Sequence, residues 1–219
     1  MLTSYTAPQI FPHTQAVYIP ILGEIQGAKI EIPATLSDAH ALRKQAFVAG
    51  RICAQGVCEK LGIQHATVGQ DVSGRPQFPA GIVGSISHSS EYAFSIAGKE
   101  GDWYSLGIDV EKINTSARKL EAIVKKMLTA REIEKWGGDP HAILAIFTLK
   151  EAAFKCVNWT VPCRTNSFEV LEMGPGRVEI RMREAKLELP LIGYTEVAKD
   201  LQHHVSIVGI QAGFLPNRF

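Results

Sequence analysis

Apolar positions recur along this chain with two different periods, and the changes of period mark out its elements. Val17-Tyr18-Ile19-Pro20-Ile21 reads as a strand, and Lys29-Ile30-Glu31-Ile32 as a weaker one. The period then changes. Ala46, Ala49, Cys53 and Val57 recur at spacings of three and four, the small-residue face of a helix. Ser37 or Asp38 would cap that helix, which runs to about Leu61 and ends at Gly62. A Gly- and Pro-containing loop from Ser73 to Pro79 leads into strands over 82–87, 92–98 and 103–110, with hairpin turns between them. Helical spacing returns at Leu120, Ile123, Val124 and Met127, and Thr129-Ala130-Arg131-Glu132 has the capping-box pattern of a second short helix. Asp139-Pro140 supplies a cap and a first-turn proline for a third, strongly apolar helix through Ile143, Ile146, Phe147, Leu149 and Phe154. Alternation over 167–172 and 177–183, split by Met173-Gly174-Pro175-Gly176, predicts a hairpin, and 204–211 a last strand. This order predicts an α+β fold of two halves, 1–102 and 103–219. No internal repeat or low-complexity tract is visible.

Composition narrows the function classes. The chain has 219 residues, 46% hydrophobic and 21% charged, which suits a globular protein with a real core. Its formal net charge of +1 provides no global field toward nucleic acid or membrane, so anion binding must come from local clusters. The first twenty residues lack a basic segment followed by an apolar run, and no stretch has the length of a membrane span. A cytoplasmic protein is expected. Cys53, Cys58, Cys156 and Cys163 form no C-x-x-C pair and no zinc spacing, and read as reduced, mostly buried thiols.

The candidate chemistry sits where charge interrupts apolar periodicity. In Phe147-Thr148-Leu149-Lys150-Glu151-Ala152-Ala153-Phe154-Lys155, Glu151 and Lys155 are four residues apart and share a helix face. In Leu106-Gly107-Ile108-Asp109-Val110-Glu111, Asp109 and Glu111 point to the same side of a strand. If strand and helix are neighbours, three carboxylates and an amine converge, and hard oxygens of this kind hold Mg2+ beside phosphates. Each piece alone has an ordinary reading: a surface i,i+4 pair, or the polar face of an edge strand. Charges inside an apolar helix, however, need partners or a task. Lys44 and Arg51 nearly superpose on one helix face with Arg43 beside them, as either a solvated face or an anion site. His88, alone at a strand end, is by itself more often a packing or surface residue. Between Arg118 and Lys135 six basic residues face three acidic ones, the most basic part of the chain.

These motifs carry a family resemblance. Ala49-Gly50-Arg51, Gly74-Arg75-Pro76, Gly84-Ser85-Ile86-Ser87-His88, Gly107-Ile108-Asp109-Val110-Glu111 and Phe147 to Lys155 follow one another as in the 4′-phosphopantetheinyl transferases of the surfactin/enterobactin type. The resemblance covers about Leu42 to Lys155, and residues 78–85 look most like the enterobactin-synthase component. Arg75 stands where many members carry lysine, which keeps the charge and changes the donor geometry. Residues 160–219 carry no matching motif.

The resemblance implies transfer of the 4′-phosphopantetheine arm of coenzyme A to a serine of an apo carrier protein, with release of adenosine 3′,5′-bisphosphate. It implies a pseudo-dimer of two similar α+β halves with the ligand cleft between them. The N-terminal half would take the CoA adenylate, and the C-terminal half would carry the metal site and the carrier-docking helices. Asp109, Glu111 and Glu151 would hold Mg2+, or Mn2+ in its place. Arg43, Arg51, Arg75, Ser87, His88, Lys150 and Lys155 would bind coenzyme A. Glu151, Lys155 and Asp109 would serve the chemistry, with Glu151, Lys155 and a metal-bound water all open as the base. The carrier would dock near 112–137, with Ile113, Met127 and Leu128 as an apolar centre inside a lysine rim. The chain would act as a monomer, without nucleic acid, in siderophore, other non-ribosomal peptide, polyketide or fatty acid synthesis. The rival readings are another Mg2+-dependent phosphodiesterase or pyrophosphatase acting on CoA-like esters, and a non-catalytic CoA- or carrier-binding module.

Overall fold

A computed structural model describes residues 1–21, 30–158, 160–174, 176–183 and 189–213. In chain order the elements are β1 (Thr3–Tyr5), β2 (Gln15–Pro20), α1 (Ala41–Lys60), β3 (Gly69–Gln70), β4 (Pro76–Gln77), β5 (Ile82–His88), β6 (Tyr92–Lys99) and β7 (Trp103–Lys112). There follow α2 (Ala117–Met127), α3 (Ala130–Trp136), α4 (Pro140–Val157), β8 (Phe168–Gly174), β9 (Arg177–Met182), β10 (Ile192–Ala198) and β11 (His203–Gln211). One antiparallel sheet has the order β1-β2-β6-β5 and another β7-β11-β10-β9-β8, while β3 and β4 form a small ribbon.

Strand alternation sorts the side chains into layers. Val17, Ile19, Ala93 and Ala97 turn outward onto Ala46, Ala49, Cys53 and Val57 of α1. Their neighbours Ala16, Phe94 and Ile96 turn inward and meet Leu106, Ile108 and Val110 of β7 with Val205 and Ile207 of β11. The outer face of the second sheet, with Val208 and Ile210, is covered by Ile146, Leu149, Ala152, Ala153 and Cys156 of α4. The order is therefore helix, sheet, sheet, helix. The two sheets share one apolar core, at whose end Phe11 stacks on Trp103 with ring centroids 5.2 Å apart.

Several local expectations shift. The helix predicted from Ser37 or Asp38 starts at Ala41, because the chain first makes a 3-10 turn over Ala34–Leu36 and Ser37 N–H donates into it. The Nδ1 of His40 takes over as the cap acceptor for Leu42 N–H. Residues 30–32 form no strand, and Lys29 lies outside the described residues, as does Pro175 of the predicted hairpin turn. The capping box of Thr129 and Glu132 and the Asp139-Pro140 start both form. Among the described residues no helix is long and apolar enough to cross a membrane.

Candidate active site

The site forms where α4 lies against β7. Gly107 makes that approach close: a Cβ there would stand 2.0 Å from the carbonyl oxygen of Ala152 and 2.9 Å from the amide nitrogen of Cys156. With strand and helix this near, Lys155 reaches the next outward position of β7. Its Nζ donates to Asp109 Oδ1 (2.7 Å), to Ser87 Oγ (2.9 Å) and to the Ile108 carbonyl (3.1 Å). Ser87 Oγ donates in turn to Asp109 Oδ1 at 2.8 Å. Ser87 and Asp109 are buried, 5% and 7% exposed, so this network joins β5 of the first sheet to β7 and α4 of the second in a low dielectric.

Glu111, two residues along β7, pairs with Lys119 of α2 at 2.7 Å. Glu151 is half-buried on α4, and Thr165 Oγ1 donates to its Oε1 at 3.2 Å. Burial pushes the Glu151 carboxyl above the usual carboxylate range; Asp109 and, more weakly, Glu111 push the same way, and Lys155 opposes them. Asp109 and Glu111 thus both act on Glu151. Among the described residues no three acidic, imidazole or thiol groups are already drawn to metal-binding spacing. Lys155 and Lys119 stand as counter-ions to Asp109 and Glu111 instead. The donor set, hard oxygens whose mutual repulsion already raises one proton affinity, suits a divalent cation such as Mg2+.

A groove continues from this cluster along α1. One stretch of about 580 Å³ is lined by Glu111, Lys119, His88, Ser90, Arg43 and Leu42. The next, about 550 Å³, is lined by His88, Arg43, Phe47, Arg51, Ser73 and Gly74. Arg51 is 6% exposed, and its guanidinium lies 4.5 Å above the Phe47 ring. Its Nε is buried with no hydrogen-bond partner, and no ion pair to it is found among the described residues. A buried cation in that state is poised for an anion from outside the chain. His88 is exposed at the meeting of the two stretches.

Three of the predicted coenzyme A contacts fall elsewhere. Lys150 is fully buried and faces away from Asp109: its Nζ pairs with Glu132 at 2.6 Å and donates to the Met127 carbonyl at 2.7 Å. It anchors the α2–α3 connection to α4, because successive helical positions 150 and 151 point about 100° apart. Arg75 turns back on its own loop, with Nε 2.8 Å from Ser73 Oγ and 3.5 Å from Asp71, so its neighbours line the groove and its guanidinium does not. Ser87 is spent on Asp109 and Lys155 and not exposed to the groove. In 112–137, Ile113, Met127 and Leu128 pack against Ile123, Ile143 and Leu144. The large apolar residue left exposed there is Ile133, 42% exposed.

Residues that motif reasoning passed over also shape the site. Thr165 and Lys119 hold Glu151 and Glu111, and Glu132 is the partner of Lys150. His204 lies across the strand pair from Glu111, buried, with neither ring nitrogen hydrogen-bonded, beside His141 at 5.7 Å between ring centroids. Only the outward alternation of β11 could have signalled it.

Comparison with known proteins gives two family matches. The 4′-phosphopantetheinyl transferase N-terminal domain matches residues 32–98, and the 4′-phosphopantetheinyl transferase superfamily matches residues 105–205. The chain is 27% identical over 127 residues to 4′-phosphopantetheinyl transferase Npt of Nocardia iowensis, covering 58% of this chain and 57% of that protein. It is 34% identical over 76 residues to PptT of Mycobacterium tuberculosis, 35% and 34% of the two lengths. It is 29% identical over 126 residues to enterobactin synthase component D of Escherichia coli K12, 56% and 58% of the two lengths. The chain thus spans about half the length, or less, of the curated relatives it matches.

Proposed function

The chain belongs to the 4′-phosphopantetheinyl transferase superfamily, and we propose that it transfers the phosphopantetheine arm of coenzyme A to a serine of an apo carrier protein. The observation that carries this reading is the groove itself. It runs from Arg51, buried with its Nε unpaired, at one end to Glu111 at the other, the member of the Asp109, Glu111 and Glu151 cluster that lines it. A ligand with a phosphate at one end and a pyrophosphate further along fits that distribution of charge. Neither the hydrolase nor the non-catalytic module draws support from the matched families.

In the proposed reaction the serine oxygen forms a bond to the phosphorus that bears the pantetheine arm. The bond from that phosphorus to the bridging pyrophosphate oxygen breaks, and adenosine 3′,5′-bisphosphate leaves with the electron pair. Glu151, half-buried on α4 and held by Thr165, takes the serine proton. Lys155 already donates to three acceptors, so it acts as a fixed ammonium that positions Asp109 and balances phosphate charge. Asp109, Glu111 and Glu151 would hold Mg2+, which when bound supplies charge neutralisation at the pyrophosphate oxygens. Arg43, Arg51 and His88 bind the adenylate end and its 3′-phosphate.

We read the two helix-on-sheet halves, 1–102 and 103–219, as a pseudo-dimer whose cleft is this groove. The carrier docks on α2 and α3, where Arg118, Lys125, Lys126, Arg131 and Ile133 are exposed. Relatives named enterobactin synthase component D make a siderophore-type peptidyl or aryl carrier the first to try, with an acyl carrier for comparison. A monomer acting in the cytoplasm completes the reading. It is tested by calorimetry of CoA against 3′-dephospho-CoA. Charge-assisted bonds to the 3′-phosphate should favour CoA by about 1.5–3 kcal/mol each before screening. Equal affinity for the two ligands would remove the 3′-phosphate role from Arg43, Arg51 and His88.

A further inference from the structure

β5 and β7 flank the groove but belong to different sheets: Ser87 ties β5 to Asp109 of β7, and no ladder sets the position of the turn that follows relative to the carboxylates. His88 at the end of β5 and Ser90 in that turn line the groove together with Glu111 and Lys119. The turn's neighbour from the second sheet is His203, the first residue of β11, paired with Lys112 at the end of β7. His203 is fully buried and meets Tyr92 edge-on, with ring centroids 5.3 Å apart at 89°.

The hydrogen bonds of this pair fix one another. His203 Nδ1 faces the Leu201 carbonyl, which can only accept, so Nδ1 carries the proton. Nε2 is then an acceptor, and Ser89 Oγ at 2.9 Å donates to it. The same Ser89 oxygen accepts the backbone N–H groups of Glu91 and Tyr92, each at 3.1 Å. A hydroxyl has one proton and two lone pairs, and Ser89 uses all three. Beside it Lys112 pairs with Glu91, a second, more exposed tie between the turn and β7. Surface ion pairs of that kind contribute little, whereas a buried, saturated hydrogen-bond network holds one geometry.

We propose that His203, acting through Ser89, is a positioning residue for coenzyme A: it holds the His88 turn at the spacing from Asp109 and Glu111 that the ligand must span. The proposal rests on the transferase reading of the groove. It predicts that cutting the tie weakens CoA binding while turnover of saturated enzyme and use of the carrier change much less.

Three variants of the full chain test this. His203→Phe keeps a ring against Tyr92 and removes both nitrogens. His203→Gln restores an acceptor near the Nε2 position. Ser89→Ala cuts the bond from the other side. By calorimetry and steady-state kinetics, His203→Phe and Ser89→Ala should each raise the Kd and KM for CoA about 5- to 30-fold. The loss should fall on CoA rather than on kcat or the carrier KM. The double variant should lose no more than the worse single one, because both remove one interaction. His203→Gln should recover most of the affinity. CoA binding by His203→Phe as tight as wild type overturns the proposal, as does an equal loss toward CoA and carrier. If His203→Phe does not fold, wild-type CoA affinity in Ser89→Ala overturns it. A wild-type chain that does not bind CoA sinks the transferase reading and this proposal together. Wild-type binding with unaffected variants sinks the positioning role alone.

Discussion

Adding one methyl group at Gly107 should do more damage to this protein than removing most side chains on its surface. The atoms it would meet are backbone: the Ala152 carbonyl oxygen at 2.0 Å and the Cys156 amide nitrogen at 2.9 Å. No rotamer change relieves either. An ordinary contact begins at 3.4 Å, so β7 and α4 must part by about 1.4 Å at this point. Lys155 lies one helical turn beyond Ala152 and now sits 2.7 Å from Asp109; a shift of that size takes it out of hydrogen-bond reach. Overpacking of this kind costs about 1–3 kcal/mol of stability. A misplacement of roughly 1 Å in a catalytic constellation costs up to ~100-fold in rate. Gly107→Ala should therefore lower the urea midpoint and, under conditions where it is fully folded, cut carrier modification about 100-fold. Gly101→Ala is the control, since a Cβ there meets nothing within 4 Å, and it should stay close to wild type in both assays. A folded Gly107→Ala protein with wild-type turnover would refute the claim that this contact places Lys155 on Asp109.

Four other outcomes are expected. Lys150→Met should destabilise the fold by about 3–5 kcal/mol in urea titration, because it strands the fully buried Glu132, yet leave CoA affinity of the folded protein unchanged; a selective loss of CoA binding would return Lys150 to the phosphate site. His204 is pushed down from 6.5 to about 4, by burial first and His141 second. Its folded pKa lies below its unfolded one, so its contribution is present above pH 6.5 and lost as pH falls toward 4, roughly 3 kcal/mol in all. A His204→Phe variant should show a flatter stability–pH curve over that window, and an unchanged slope would contradict the assignment. Asp109→Ala and Glu151→Ala should each lose most activity while keeping wild-type circular dichroism, and chelation should silence the parent until Mg2+ is restored; full activity of both variants in metal-free buffer would sink the metal site. Lys125→Glu with Lys126→Glu should raise the carrier KM at low salt and leave the CoA KM nearly constant, since rim charges act on encounter; normal carrier use at low ionic strength would move the docking face elsewhere.

Local signals of period, cap and turn made most of the fold legible. The Thr129–Glu132 box, the Asp139-Pro140 start and the alternation of β5 to β7 all appear in the structure within a few residues. β1 and β10 went unread: β1 has only three residues, and β10 alternates weakly, with Glu196 interrupting the apolar face of Ile192, Tyr194 and Ala198. The start of α1 was misplaced because Ser37 and Asp38 look like caps, and only the 3-10 turn before them shows that they are not helical. At the site, i,i+4 spacing put Glu151 and Lys155 on one face, and strand alternation did the same for Asp109 and Glu111. Spacing could not say that Lys150, one residue from Glu151, finds its counter-charge in Glu132 on another helix. Nor could it show that Ser87 faces Asp109 while His88 faces the groove. Those facts depend on which sheet edges meet, and pairing between distant segments leaves no local trace in sequence.

Carrier modification is tested by incubating the chain with CoA, Mg2+ and an apo siderophore-type peptidyl or aryl carrier, with an apo acyl carrier in parallel, and weighing each carrier by mass spectrometry. At least one carrier should gain a single phosphopantetheine on its serine. An equal amount of adenosine 3′,5′-bisphosphate should appear, and neither product should form without metal. Cleavage of CoA at the same rate with no carrier present, and no mass gained on any carrier serine, would contradict the proposed transfer.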